Sequence, residues 1–318
     1  MKAPKGKIAG ILSALAGIST ALLLSLPASA ASWKSMAPLP VSARLAAAES
    51  INGIIYVAGG YGVSGPNSNL QAFNPETKAW TSLAAMPITL YQGDGAGVIN
   101  SQLYITGGWN GPIPTNTLFR YDPPSNTWTS LASLPHLTAC GASGVINSKL
   151  YVTTACNGYS GYANYLDVYD PVANAWTSLS GSASAHGSPA FGVVNGKFYV
   201  AGGVDGSGNV TSVLEVYNPA TSTWTTLAPM PAAVQGAASV AVNGQFYVFG
   251  GNDGTNYVAT VQVYDPYKNK WKILPSLPTA IGFSGAAVVY GNVFMEGGYG
   301  SAGSGTTNQY SPFSASIP

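Results

Sequence analysis

A six-bladed β-propeller, all-β and closed on itself, is the fold the sequence predicts, and three markers predict it. Trp recurs at 33, 80, 128, 176, 224 and 271, in steps of 47 or 48 residues. Glycine pairs keep the same beat at 59–60, 107–108, 202–203, 250–251 and 297–298, with Thr154-Ala155 in the third place. A third series runs Phe73-Asn74-Pro75, Tyr121-Asp122-Pro123, Tyr169-Asp170-Pro171, Tyr217-Asn218-Pro219, Tyr264-Asp265-Pro266 and Tyr310-Ser311-Pro312. Repeats of this length signal stacked modules that cannot bury their faces alone.

Each repeat reads as four strands, a to d. Strand a is a run of small and apolar residues such as Gly236 to Val242, and a turn such as Asn243-Gly244-Gln245 leads to strand b. Strand b ends at the glycine pair, strand c at the Tyr-Asp-Pro, and strand d carries the Trp. Pro fixes φ and Asp bonds its own backbone, so Asp-Pro turns the chain. Ala43 to Glu49 has helical propensity but aligns with strand a and is read as strand. The Trp and Tyr rings are the expected wedges between blades, and Trp128→Ala is expected to cost about 3–5 kcal/mol. The segment from Ala31 begins in a strand d, and the chain stops after a strand c, so the two ends are expected to complete the last blade together.

Composition agrees. Only 7% of the 318 residues are charged, and 39 Gly and 22 Pro suit many short strands joined by turns. Lys2, Lys5 and Lys7, then the apolar run Ile8 to Leu26 and the small residues Ala28-Ser29-Ala30, read as a signal peptide over 1–30. An uncleaved anchor is the alternative. No Cys sits near the cleavage site to take a lipid. Without residues 1–30, 9 basic side chains face 11 acidic ones. That balance gives no footprint for nucleic acid or anionic membrane. The expectation is a secreted, periplasmic or cell-surface monomer with no membrane insertion after cleavage.

Cys140 and Cys156 flank a turn taken as Asn147-Ser148-Lys149. A three-residue loop centred there would set them opposite one another, at the roughly 4.5–5.5 Å Cα spacing that admits a disulfide. An exported chain favours the bridge, worth about 3 kcal/mol on loop entropy. Two buried thiols are the alternative.

Glycine pair, Tyr-Asp-Pro and Trp at this spacing resemble the kelch motif, and the resemblance covers all of 31–318. It departs in blade three, which lacks the glycine pair, and in blade four, where Gly181 to Gly187 replaces Met-Pro or Leu-Pro. The resemblance implies that the d–a and b–c loops share a ligand face near the central channel. The repeat then places Tyr61, Trp109, Cys156, Val204, Asn252 and Tyr299 just after the glycine pairs. It places Arg44, Gln92, Ala139, Gly187, Gln235 and Gly282 at the start of strand a. Tyr91, Asp94, His136, His186, Tyr159, Tyr162, Asp205 and Asp253 lie nearby. A ligand site would draw on Tyr61, Tyr91, Gln92, Trp109, Tyr159, Gln235 and Tyr299: aromatic faces for stacking, amides for hydrogen bonds. Ordinary loop composition is the alternative.

Reaction chemistry is sparse. Two His in different blades make no zinc spacing, and no nucleophile elbow or phosphate loop occurs. The copper-oxidase branch of such propellers needs a crosslinked Cys-Tyr pair and two His, a context missing here. The loops at Asp205 and Asp253 lack the acidic count of a calcium site. No metal or cofactor is expected. Glu296, Arg44 and Asp94 are the candidates for acid–base work; Glu296 could equally face the channel or pair with Arg44. The leading expectation is a non-catalytic module binding a glycan or a protein. The alternatives are an enzyme similar to the exported kelch-type mutarotase of sialic acid, and a structural surface protein.

Overall fold

The structure, a computed structural model, describes residues 33–92, 95–156, 162–300 and 313–316. The segment 1–30, where the signal peptide is expected, lies outside the described residues. No helix occurs among those described, and strand a of blade one is Ala47–Ile51, so the local helical propensity of that stretch is overridden.

Five blades are complete, each an antiparallel sheet of four consecutive strands, a to d. Blade one is Ala47–Ile51, Ile54–Ala58, Leu70–Asn74 and Ala79–Leu83. Blade two is Ala96–Ile99, Gln102–Thr106, Leu118–Asp122 and Thr127–Ser130. Blade three is Ala142–Ile146, Lys149–Cys156, Tyr162–Asp170 and Ala175–Leu179. Blades four and five continue from Ala190–Val194 to Thr223–Leu227 and from Ala238–Val242 to Lys270–Leu274. The expectation of a six-bladed β-propeller is thereby corrected: the blades number five. Beyond blade five the chain forms a composite sheet in the order Lys34–Ser35, Phe313–Ser316, Asn292–Glu296, Gly285–Val289.

This composite sheet does not repeat the blade pattern. In blade five Phe246 pairs with Tyr264 of the Tyr-Asp-Pro marker. The equivalent Val293 pairs with Ala315, not with Tyr310, and only Lys34 and Ser35 pair on the outer side. The marker at 310–312 lies outside the described residues. The sheet still joins the circle, because Gly285–Val289 packs between the inner strands of blades five and one. Trp33 meets Phe249 edge-on at 5.7 Å and fills its part of the seam.

Two-residue a–b turns recur, as at Asn52-Gly53, Asn147-Ser148 and Asn243-Gly244, with positive φ at both positions. That is the turn whose twist matches the strands it joins. It also decides the cysteines. Ile146 pairs with Lys149, so Cys156 stands opposite Ala139, one residue from Cys140. A one-residue slip turns a side chain to the other face. Cys140 and Cys156 are not bridged, and the expected disulfide is corrected: the loop has two residues, not three. Thiol titration of the unfolded, unreduced protein should count two thiols per chain; a count of zero would restore the bridge.

The rings between blades divide their work differently from expectation. The wedges are the strand-c rings Phe73, Tyr121, Tyr169, Tyr217 and Tyr264, all at most 1% exposed. The Trp residues of strand d are half-buried, tilted against those rings at 5.0–5.3 Å. Each also acts as a clamp. Trp128 Nε1 donates to Ala84 O of the preceding blade at 2.8 Å, and Asn126 Oδ1 accepts from Ala84 N at 2.9 Å. Tyr121 Oη donates to the same Asn126 oxygen at 2.8 Å. The pattern returns at Trp176 with Asn174 on Ala132 and at Trp271 with Asn269 on Ala228. Both backbone groups of the residue ending one blade are thus satisfied by the next.

Strands a carry Ala, Gly and Ser, so neighbouring blades approach closely at the axis. Serine hydroxyls stitch them: Ser50 to Val288 O, Ser143 to Ala96 O and Ser239 to Phe191 O. Just before strand a, Leu45, Gln92, Cys140, Ser188, Gly236 and Phe283 all have positive φ. Each donates its N–H to the carbonyl of the preceding member, and Leu45 donates to Phe283. The six bonds, 2.6–3.2 Å long, close into a ring around the axis.

Candidate functional site

The loop face is built outward from that ring. One residue ahead of it, each d–a loop bridges to the residue after the glycine pair: Arg44 with Tyr61, Tyr91 with Trp109, Ala139 with Cys156, Gly187 with Val204, Gln235 with Asn252 and Gly282 with Tyr299. Tyr91, not Gln92, is therefore the true equivalent of Arg44. Gln92 belongs to the ring, and its amide donates to Ser188 Oγ at 2.8 Å across the mouth of the channel. Beneath lies a cavity of about 340 Å³ lined by the inner strands. The lining includes Glu49, whose carboxyl is pushed up to about 7 by burial, partly countered by the Ser50 amide.

The glycine pairs make the bridges possible. Gly250 has φ +61°, and a Cβ there would run into the Ile281 carbonyl oxygen. Blade three has Thr154-Ala155 instead, and its strands b and c run on to Cys156 and from Tyr162, with the register shifting between Thr154 and Cys156.

The bridges gather an aromatic arc around one cation. The Arg44 guanidinium lies 4.9 Å from the Tyr61 ring centroid and 5.0 Å from that of Tyr299. Tyr61 meets Tyr91 edge-on at 5.3 Å, and Tyr299 meets Tyr257 likewise at 5.3 Å. Tyr91 Oη donates to Gly111 O, which fixes the far end of the arc near Trp109. Burial raises the Tyr91 phenol, with Tyr61 and Cys140 adding to it. Burial and Tyr299 raise that of Tyr257, which Arg44 partly offsets. The phenols of Tyr91 and Tyr257 therefore stay neutral across the physiological range.

Of the residues singled out in the sequence, Tyr61, Tyr91, Tyr299 and Arg44 come together, and Trp109 adjoins them. Gln235 bridges Asn252, which in turn bridges Tyr257 at the end of the arc. Tyr159 and Asp94 lie outside the described residues. Glu296 does not pair with Arg44. It is 2% exposed, and neither carboxylate oxygen has a hydrogen-bond partner. Burial holds its carboxyl well above the usual carboxylate range. Tyr257 was missed because its place in the b–c loop follows no repeat marker.

The two histidines hold loops. His136 Nδ1 lies 2.8 Å from Asp167 Oδ2, and its ring stacks on Tyr165 at 4.0 Å. His186 lies 2.9 Å from Glu215 Oε2 and 2.7 Å from Gly202 O. Asp167 and Glu215 occupy the position that Gln71 and Gln262 take in blades one and five, where each amide pairs with both backbone groups of Val41 or Ala232. A buried polar side chain of strand c thus anchors the d–a loop in four blades, because buried loop amides need partners. Burial works against Glu215 as an anion. The bonds from His186, Ser184 and Ala183 outweigh it and hold its carboxyl below the usual range.

The comparisons fit this geometry. No curated protein matches the chain. A solved structure titled "Structure of YjhT" is similar in fold, with a TM-score of 0.74 at 19% identity over 89% of this chain and 95% of that one. The model of the Attractin/LZTR1 beta-propeller matches residues 55–256, from strand b of blade one to the b–c loop of blade five. The chain belongs to the Attractin/LZTR1 beta-propeller family, a kelch-like propeller fold that generally serves as a protein-interaction module.

Proposed function

We propose that this propeller is an exported binding module that takes a glycan, or the surface of a protein partner, on its d–a and b–c loop face. The observation that carries the reading is the arc Tyr91–Tyr61–Arg44–Tyr299–Tyr257, half-buried and running through consecutive sectors of the mouth. Tyr rings offer rigid apolar area with a polar tip, which suits the faces of sugars and of interface side chains alike. The leader-like start over 1–30 supports export. A glycan array probed with residues 31–318 tests it. One or a few glycans should bind, and Tyr61→Ala should weaken them at least about tenfold, since a central aromatic anchor is worth roughly 2 kcal/mol or more. An array with no bound glycan moves the reading to a protein surface. Binding that survives both Tyr61→Ala and Tyr299→Ala overturns the arc.

A further inference from the structure

We propose that the arc recognises a carboxylate, with Arg44 as its counter-ion; this rests on the arc being the binding surface. Arg44 is the only Lys or Arg among the described residues of the d–a and b–c loops. Every other described cation lies on a strand or on an a–b or c–d turn. None of the ion pairs among the described residues includes Arg44. Its Nε is buried and has no hydrogen-bond partner.

A guanidinium held between two Tyr rings is steadied by their π faces, but those faces accept no N–H bond along its plane. A cation removed from bulk water without an anion leaves an electrostatic deficit that an incoming anion can fill. The shape of the gap selects the anion. Tyr61 and Tyr299 lie within about 5 Å of the guanidinium carbon, so an approaching group meets aromatic neighbours. A planar carboxylate matches the guanidinium fork. A phosphate dianion would want a second cation, which the described loops do not supply. The ring or chain bearing the carboxylate would then lie along Tyr91 or Tyr257.

The test uses benzoate and its neutral isostere benzamide, titrated against residues 31–318 by calorimetry at low and high salt. Benzoate should bind at least about tenfold tighter than benzamide, and the difference should shrink with salt. Arg44→Gln should abolish the difference. Arg44→Lys keeps the charge without the fork and should retain only part of it, which keeps the proposal testable if the Gln variant fails to fold. Two further arms identify the source: glucuronate against glucose, and N-acetylglutamate amide against N-acetylglutamine amide. The arm that reproduces the preference names the carrier. Equal binding of benzoate and benzamide, both lost in Tyr61→Ala, sinks the carboxylate while leaving the arc as a binding surface. No saturable binding of either probe sinks both.

Discussion

Tyr121→Ala should destabilise the protein by about 3–5 kcal/mol, more than any single Trp truncation. Tyr121 is fully buried between blades one and two, tilted against Tyr56 at 6.1 Å and Trp128 at 5.1 Å. Its removal empties a ring-sized space in a seam whose backbones are held apart by strand pairing and cannot collapse. It also takes one donor from Asn126, which bonds the end of the preceding blade. Tyr121→Phe keeps the ring and loses only that bond, so about 1 kcal/mol is expected. Trp128→Ala should fall between, near 3 kcal/mol, because its ring is half-exposed but its indole N–H satisfies Ala84 O. Denaturant unfolding of the three variants gives the order directly. A Tyr121→Ala loss below that of Trp128→Ala would show that the outer rings carry the seam.

Glu296→Met should stabilise the protein, and by more as pH rises. The carboxyl sits at the end of strand b in the composite sheet with both oxygens unpartnered, which costs about 1–3 kcal/mol even in the neutral form. Its folded-state pKa lies above the unfolded value near 4.5. The neutral form is therefore favoured by folding. The stability associated with it is complete below about 4.5 and is lost as pH climbs from there through the raised folded value. Glu215 works in the other direction: its lowered pKa means stability lost as pH falls through the acid range. Stability measured from pH 4 to 9 should thus fall towards alkaline pH in the parent and fall less steeply in Glu296→Met, where only the raised Glu49 carboxyl still contributes, while the acid limb is unchanged. A variant with an unaltered alkaline limb would show that Glu296 finds a partner in solution.

The repeat was plain in the sequence because each marker meets the same local demand in every blade. Asp-Pro turns the strand, paired glycines admit the neighbouring loop, and Trp reaches a fixed carbonyl. The composite sheet was misread for the same reason. Tyr310-Ser311-Pro312 imitates the marker, but pairing there is decided by what Val293 and Phe294 find opposite, and that is Ala315 and Ser314. The loop anchors escaped notice because Gln71, Asp167, Glu215 and Gln262 share a role without sharing a residue type. Gln92 was placed one position out because d–a loops differ in length. The aromatic arc was half legible: Tyr61, Tyr91 and Tyr299 follow the repeat, whereas Tyr257 reaches them from a loop whose path only the fold defines.

The hydrogen-bonded circle formed by Leu45, Gln92, Cys140, Ser188, Gly236 and Phe283 is made from six different residue types in one backbone conformation. A hoop of this sort has neither a first nor a last link, so no sector is the natural place for it to fray. Parting any one link strains the two beside it, and the inner rim should give way all together or not at all. A loop face mounted on such a rim keeps its spacing while the outer edges breathe.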